Sequence, residues 1–547
     1  MKSKQYKFII SGWSPGRALV VILFIGLLIV TAAYAREMQV RDVKSATQTW
    51  VRNFTSNLRP AGIIVRMEPY RIDSRTLAYI AHLQDSGYCL CGADDMVLPV
   101  YAYFPHGSFD ATNPELKYFL ESIAEFTLEL NNDAAENSQK YTNLIPVFEE
   151  RVEYWEDLII GRIPTRRQLS RQCAVMAAPD SMSLHQTTLW DQPTPYNNFC
   201  PLLPTTTLRT IVGCSAISQA QIMKYWDWPI TGAGVDTGYY EYYFRTVWDE
   251  EPLATNPGFT TPGGWCANRF EYDTLTNRLR MNGYWDYSMY LSAIRMSDST
   301  GYKTALDTLF NRMGEDTVWY NVDYGATTYQ WDLMKDTPAD FTSAGTTAVA
   351  TLCYHSAVSC IMNFHVFVST TNNGLVVSAL EDHFFYDNDA TYSMTAPTVN
   401  RMVEEIQYLR PFAIGGTDTA GQGSHSWIVI GYDQTGADAM FRMNLGWGGR
   451  GDGWFVNDTV STWGFVFATN NTTWHIAPNN VRFLGATVSG DGSPSSPYLD
   501  MDNAIGSIPD NRTLIIKAGV TAYFEEDSLV LNRPMTIKSR DGTIDQY

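Results

Sequence analysis

The stretch VGCSAISQAQIMKYWDWP, residues 212–229, decides the fold prediction. Cys214 follows Gly213 and opens a strongly helical pattern that ends before Pro229. The apolar positions of this pattern form one buried face: Ala216, Ile217, Ala220 and Met223. A helix N-terminus carries partial positive charge and free N–H groups, which lower the pKa of a thiol placed there. We therefore expect a buried helix that presents Cys214 as a nucleophile.

Two later segments hold the side chains that could activate such a thiol. His425 stands in GSHSWIVIGYD, residues 423–433, before an alternating strand, and is the expected general base. Asn444 and Trp447 stand in NLGWGGRGDGWF, where the Asn amide is expected to hold the imidazole and Trp447 to shield it from water. Each segment alone also fits an ordinary surface histidine or a glycine-rich turn. Their order after Cys214 favours one catalytic constellation.

The surroundings of Cys214 complete the predicted chemistry. Gly213 lets a peptide backbone approach closely, and the N–H of Cys214 is expected to face the oxyanion of a tetrahedral intermediate. Acyl transfer by a thiol needs no cofactor. We expect no metal, because Cys353, Cys360 and His365 lack the spacing of a zinc site.

These segments resemble the streptopain family of papain-like cysteine peptidases. The resemblance extends to WDQPTPYNNFCP (190–201), DYGATTYQWDLM (323–334) and RPFAIGG (410–416). It implies a papain-like catalytic domain over residues 185–476 that cleaves proteins or peptides as an endopeptidase. It also implies that Cys214 and His425 are the catalytic pair, that Asn444 orients the histidine, and that Trp447 belongs to the supporting shell. Gln192 is the implied second donor of the oxyanion hole.

Two positions depart from the family pattern. Leu445 stands where the family usually has a tryptophan, which removes an aromatic wall around the histidine. The segment 358–372 stands where the family usually has a Gly/Ser-rich loop, and there His365 and Phe367 are expected to reshape the substrate pocket. We expect reduced rather than abolished activity.

Residues 36–160 form a separate predicted α+β unit. An amphipathic helix begins near Val40, and antiparallel strands follow over residues 77–104. The part from Gly87 to Asp110 resembles the family's inhibitory propeptide, so the chain is expected to carry its own inhibitor. Residues 161–184 form the linker, whose arginine-rich start fits an activation cleavage site and fits an ordinary basic linker equally well.

The last unit, residues 477–547, has short β-rich runs separated by turns. It resembles the opening coil of a right-handed parallel β-helix. A solenoid needs about three or more repeats for a continuous core. Two alternatives stay open: the chain is a fragment of a longer protein, or the tail packs on its neighbour.

Residues 1–35 have the basic leader, apolar run and Ala33-Tyr34-Ala35 ending of a signal peptide, which predicts a secreted or cell-surface protein. The apolar run is long, so membrane attachment through an uncleaved anchor also stays open. The 39 Lys and Arg residues against 58 Asp and Glu residues give a net charge of −19, which argues against nucleic acid as a partner.

The predicted fold class is therefore α+β: an α+β propeptide, a papain-like cysteine peptidase domain and a short β-helix-like tail. The predicted function is a secreted cysteine endopeptidase made as a zymogen. The alternative from another class is a catalytically weak or inactive papain-like protein used for surface adhesion or binding. The presence of the Cys, His and Asn residues together argues against that alternative.

Overall fold

The structure, a computed structural model, describes residues 36–162 and 179–546. Some internal segments lie outside the described residues: 55–61, 73, 85, 111–119, 121–122, 125–126, 129–144, 187, 203–208, 248–267, 274–277, 282–313, 365–368, 418–423, 437, 457–467, 487, 489, 525–533 and 540–542. The predicted signal peptide, most of the arginine-rich linker, and His365 and Phe367 fall outside the description. No helix within the described ranges is long and apolar enough to cross a membrane.

The N-terminal unit is a helix pair packed on an antiparallel meander. Its elements are α1 (Val40–Phe54), β1 (Ile64–Ile72), β2 (Arg75–Leu83), β3 (Tyr88–Gly92), β4 (Ala102–Phe104) and α2 (Ile145–Ile159). The two helices contact each other, and the buried Trp155 of α2 donates its indole N–H to the Val97 carbonyl at 2.9 Å. The amphipathic helix and the antiparallel strands predicted for this unit are confirmed.

The meander continues without a break into the sheet of the large unit. Strand β4 pairs antiparallel with a strand near the other end of the large unit, with Trp454 opposite Tyr103 and Phe455 opposite Ala102. The strands of the large unit in this sheet are β10 (Thr391–Ser393), β11 (Phe412–Thr417), β12 (Ser424–Asp433), β13 (Met440–Asn444), β14 (Gly453–Val456) and β15 (Ala468–Trp474). The strand order is β1-β2-β3-β4-β14-β13-β12-β11-β15-β10.

Helices cover this sheet where the predicted catalytic segments lie. They are α3 (Cys214–Trp226), α4 (Ser343–Ser359), α5 (Asn373–Phe384) and α6 (Val399–Gln407), with short 3₁₀ turns at Trp331–Leu333 and Pro338–Asp340. Helix α3 packs against β12 and against α4. Nine consecutive residues of α3, from Ser215 to Met223, are buried. The helix is thus central to the core, as its apolar pattern predicts.

A four-stranded sheet stands apart from the main one. It is built from β6 (Val235–Val247), β7 (Asn268–Asp273), β8 (Arg278–Met281) and β9 (Gly314–Asp323), in the order β8-β7-β6-β9. Another short strand, β5 (Ser181–Ser183), pairs with β12 in the main sheet. The predicted linker extends to residue 184, but in the structure residues 181–183 form a strand of the main sheet. A three-residue strand carries no periodic signal.

The tail is a set of parallel ladders. It comprises β16 (Val481–Leu484), α7 (Met501–Ser507), β17 (Arg512–Ile516), β18 (Thr521–Phe524), β19 (Met535–Ser539) and β20 (Thr543–Gln546). Strand β17 pairs in parallel with β16 and with β19, and β18 pairs in parallel with β20. Fully buried Arg410, which bonds Glu405 at 2.7 Å, also donates to the Pro494 carbonyl at 2.8 Å. The tail therefore packs on the large unit.

Candidate active site

Cys214 is the first residue of α3, and Gly213 caps the helix with φ of 96°. This is a backbone conformation that L side chains rarely adopt. A Cβ at Gly213 would lie 2.6 Å from both Sδ and Cε of Met362, a fully buried side chain. Glycine is therefore required by conformation and by space. The contact between Gly213 and Met362 therefore sets the position of Cys214 at the start of the helix.

The Cys214 thiol is partly buried and sits beside strand β12. Burial raises its pKa, while backbone hydrogen bonds from Ser426 and Ser215 act in the opposite direction. The backbone N–H groups at the start of α3 lower this pKa as predicted, but desolvation is the largest effect, so the net pKa is raised. The contact with Ser426 places the sulfur next to the residue that directly follows His425.

His425 is the second residue of β12 and is 7% exposed. Burial lowers the pKa of its imidazole to about 4, and its hydrogen bond to the Leu445 backbone opposes that shift. A raised thiol pKa and a lowered imidazole pKa together favour the neutral forms of both groups. Burial therefore disfavours the thiolate–imidazolium ion pair in the full chain.

The imidazole of His425 contacts a backbone carbonyl, and the Asn444 side chain accepts the N–H of the same peptide group. Nε2 of His425 lies 2.8 Å from the Leu445 carbonyl oxygen. The Asn444 amide donates to the Thr188 carbonyl at 2.6 Å and accepts the Gly446 N–H at 3.0 Å. The direct bond between Asn444 and His425 stays a prediction. The Gly446 N–H and the Leu445 carbonyl belong to one peptide group, so Asn444 fixes the peptide that orients the imidazole.

Aromatic rings face the imidazole in spite of the Leu445 departure. Trp447 stacks on His425 with ring centroids 4.3 Å apart and planes at 25°, and Trp427 lies nearly parallel to it at 5.8 Å. The Leu445 side chain is 1% exposed and packs in the core. The shielding role predicted for Trp447 agrees with this stacking. Leu445 contributes its carbonyl to the site.

Gln192 reaches the neighbourhood of Cys214 through its backbone. Its carbonyl accepts the Val212 N–H at 3.1 Å, and its own N–H donates to the Asp191 carboxylate at 2.8 Å. Val212 stands two residues before Cys214. Gln192 therefore runs alongside the chain that leads into α3, while its role in the oxyanion hole stays a prediction.

Sequence reasoning missed two contributors to this site. One is the Leu445 carbonyl, because the amino-acid sequence does not show which backbone carbonyl contacts a side chain. The other is Asp452, whose carboxylate accepts the Leu445 N–H at 2.8 Å. Its position within NLGWGGRGDGWF, before the strand that closes the hairpin, is the signal that could have drawn attention to it.

The family model described as "Peptidase C10 family" matches residues 190–255 and 299–455. The chain resembles the peptidase C10 family. This is the streptopain family, so the resemblance predicted from the motifs is confirmed. The matched ranges contain Gln192 and Cys214 in the first part, and His425, Asn444 and Trp447 in the second.

One curated protein is similar to part of this chain. The thiol protease/hemagglutinin PrtT of Porphyromonas gingivalis is 24% identical over 380 residues, which are 68% of this chain and 32% of that protein. The chain thus spans about a third of the length of this curated relative. These matches support a cysteine-type peptidase.

Two solved structures from Prevotella intermedia are also similar. A prointerpain A fragment has a TM-score of 0.45 and 19% identity, covering 75% of this chain and 97% of that one. Active interpain A cysteine protease has a TM-score of 0.36 and 23% identity, covering 54% of this chain and 94% of that one.

Proposed function

We propose that this protein is a secreted cysteine endopeptidase made as a zymogen, with Cys214 as nucleophile and His425 as base. The observation that carries the proposal is the meeting of α3 and β12, where the Cys214 thiol contacts the backbone of Ser426 beside His425. The Leu445 carbonyl lies 2.8 Å from Nε2, and we assign the other ring nitrogen to the thiol. The C10 family match supports the same assignment.

The proposed reaction is acyl transfer to sulfur. Cys214 gives its proton to His425, and the thiolate attacks the peptide carbonyl carbon. The oxyanion accepts hydrogen bonds from the Cys214 N–H and the Gln192 amide. The imidazolium then protonates the leaving amine as the C–N bond breaks. Water, deprotonated by His425, attacks the thioester and releases the acid with the free thiol.

The neutral thiol and imidazole of the full chain fit a precursor at rest. Burial disfavours the charged form of each group, so the ion pair costs free energy until water or substrate dipoles reach the site. We expect activation to include a gain in solvent access at Cys214. An inhibitor that keeps the site dry would keep the thiol protonated.

Residues 36–160 are the proposed inhibitory propeptide. Their support is the pairing of β4 with β14, which begins directly after Asp452. A second anchor lies at Asp438, whose carboxylate accepts the Tyr154 hydroxyl at 2.5 Å and the Trp50 indole N–H at 3.3 Å. Cleavage within 161–184 is the proposed activation step, after which these contacts can separate.

The ends of the chain have proposed roles as well. Residues 1–35 are the proposed signal peptide and account for secretion or display at the cell surface. The parallel ladders of residues 477–547 fit the start of a β-helix.

The test is hydrolysis of denatured casein by the purified full chain. Wild type should convert itself to a form that lacks most of residues 36 to about 185 and should digest casein. Cys214→Ala should do neither, while Cys353→Ala, which removes a fully buried thiol of α4, should keep both activities. Casein digestion by Cys214→Ala at the wild-type rate would refute the proposal.

A further inference from the structure

The backbone of Leu445 is held from both sides. Its carbonyl oxygen lies 2.8 Å from Nε2 of His425, and its N–H donates to Oδ1 of Asp452 at 2.8 Å. The residue therefore connects a buried imidazole to a carboxylate through its own main chain. Any shift of Leu445 moves the carbonyl that orients the histidine.

The hydrogen bond between Leu445 and Asp452 spans the loop that follows strand β13. Strand β13 ends at Asn444, and the chain then turns through Gly446 and Gly448, with φ of 69° and 66°. Asp452 stands at the far end of the turn, directly before β14. Its hydrogen bond to Leu445 closes the turn. The start of β14 therefore fixes the position of Leu445 in the loop.

The charges around Asp452 are mixed. Arg442 of β13 and Arg450 of the turn favour its ionised form, and Asp191, which pairs with Arg450 at 3.0 Å, opposes it. Burial is the largest effect and raises the pKa of Asp452 to about 7. Burial thus opposes a negative charge at Asp452, and the two arginines favour it.

We infer that Asp452 is a positioning residue for His425, which fixes the Leu445 carbonyl and, when ionised, stabilises the imidazolium that forms during catalysis. This rests on the proposed peptidase function. The positional part requires only an acceptor for the Leu445 N–H. The electrostatic part requires the negative charge.

Two substitutions separate the parts. Asp452→Asn keeps an oxygen that accepts the Leu445 N–H and loses the charge. Asp452→Ala loses both. Asp433→Asn is the matched control: Asp433 is a fully buried aspartate at the end of β12 that likewise accepts a backbone N–H, from Thr435 at 2.8 Å.

The experiment measures kcat and KM of the self-processed enzyme on a fluorogenic peptide across pH. Asp452→Ala should lose about 10- to 100-fold in kcat with KM changed by less than about 2-fold, because a displaced base slows the chemical step. Asp452→Asn should recover kcat to within about 3-fold. Its activity at alkaline pH should end roughly 0.5 to 1 pH unit earlier, because the imidazolium loses a stabilising charge. Asp433→Asn should leave kcat and the alkaline limit unchanged.

Two results would overturn the inference. In one, both Asp452 variants keep the wild-type kcat and alkaline limit. In the other, Asp452→Asn loses as much kcat as Asp452→Ala, keeps the wild-type alkaline limit, and loses thermal stability, which is a purely structural effect. Because Asp452→Asn preserves the acceptor, it tests the inference even where Asp452→Ala does not fold.

Iodoacetamide alkylation of Cys214 in the full chain separates this inference from the peptidase proposal. The rate against pH, read by mass spectrometry of the Cys214 peptide, reports the imidazole without any substrate. A wild type that cleaves no protein refutes the peptidase. If its alkylation profile nevertheless shifts in Asp452→Asn and not in Asp433→Asn, the coupling stands. An active wild type with superimposable profiles refutes the coupling alone.

Discussion

Replacing Gly213 by alanine should damage the site through conformation and space at once. The residue has φ of 96°, and a side chain held in such a sparsely populated region costs about 1 to 3 kcal/mol. The added Cβ would lie 2.6 Å from Sδ and Cε of Met362, well inside the roughly 3.5 Å at which atoms attract. Met362 is fully buried, so relieving this overlap costs about 1 to 3 kcal/mol more.

The two effects together predict a loss of about 2 to 6 kcal/mol in unfolding free energy for Gly213→Ala. If part of the strain is relieved by moving Cys214, kcat should also fall by about 100-fold, since a 1 Å misplacement of a reacting group has that effect. Urea unfolding followed by tryptophan fluorescence, in a Cys214→Ser background that prevents self-digestion, measures the first quantity. Peptide hydrolysis measures the second.

Gly506→Ala is the matched control for this experiment. Gly506 lies within α7 of the tail, and a Cβ there meets nothing within 4 Å. Alanine in a helix is favoured over glycine by roughly 0.5 to 1 kcal/mol, so this variant should be slightly more stable and fully active. If Gly213→Ala keeps the wild-type unfolding midpoint and the wild-type kcat, the reasoning about Gly213 is wrong.

Three further outcomes are expected. Leu445→Ala should lower the unfolding free energy in urea by about 2 to 5 kcal/mol, because it creates a cavity in the core. Cys214 should keep the wild-type alkylation profile, because the backbone of Leu445, and not its side chain, contacts His425. A shifted profile would contradict this division. Asp438→Ala should shorten the half-time of self-processing, measured by gel electrophoresis, because it removes the carboxylate that accepts hydrogen bonds from Tyr154 and Trp50. Tyr154→Phe should also shorten it. Unchanged half-times would show that Asp438 does not anchor the N-terminal unit. Stability of the full chain should fall as pH drops from about 6.5 toward 4, because His425 has a pKa near 4 when folded and binds its proton earlier when unfolded. His425→Gln should show a smaller fall in thermal midpoint over that range, and an equal fall would show that His425 is not buried in its neutral form.

Local signals in the sequence were sufficient for much of the site. Gly213 and Pro229 bracket the predicted helix, and the structure has helix from Cys214 to Trp226. The alternation in SWIVIGYD predicts a strand, and β12 runs from Ser424 to Asp433. Each of these patterns depends on residues that are neighbours in the chain, which is why reading along the sequence finds them.

Effects that depend on distant residues were not predictable in this way. The join between β4 and β14 links segments about 350 residues apart by backbone hydrogen bonds, which no side-chain pattern specifies. The hydrogen bond between the Leu445 carbonyl and His425 was not predictable for the same reason. The sign of the Cys214 pKa shift required knowing how much protein covers the thiol, and that burial exceeds the effect of the helix N-terminus.

The central claim is that His425 serves as the base for Cys214. The most direct measurement is kcat for peptide hydrolysis by self-processed wild type and by His425→Ala, with the variant matured by added wild-type enzyme. Loss of the base should lower kcat by about 10²- to 10⁴-fold. A variant that hydrolyses the peptide at the wild-type rate would contradict the pairing of these two residues.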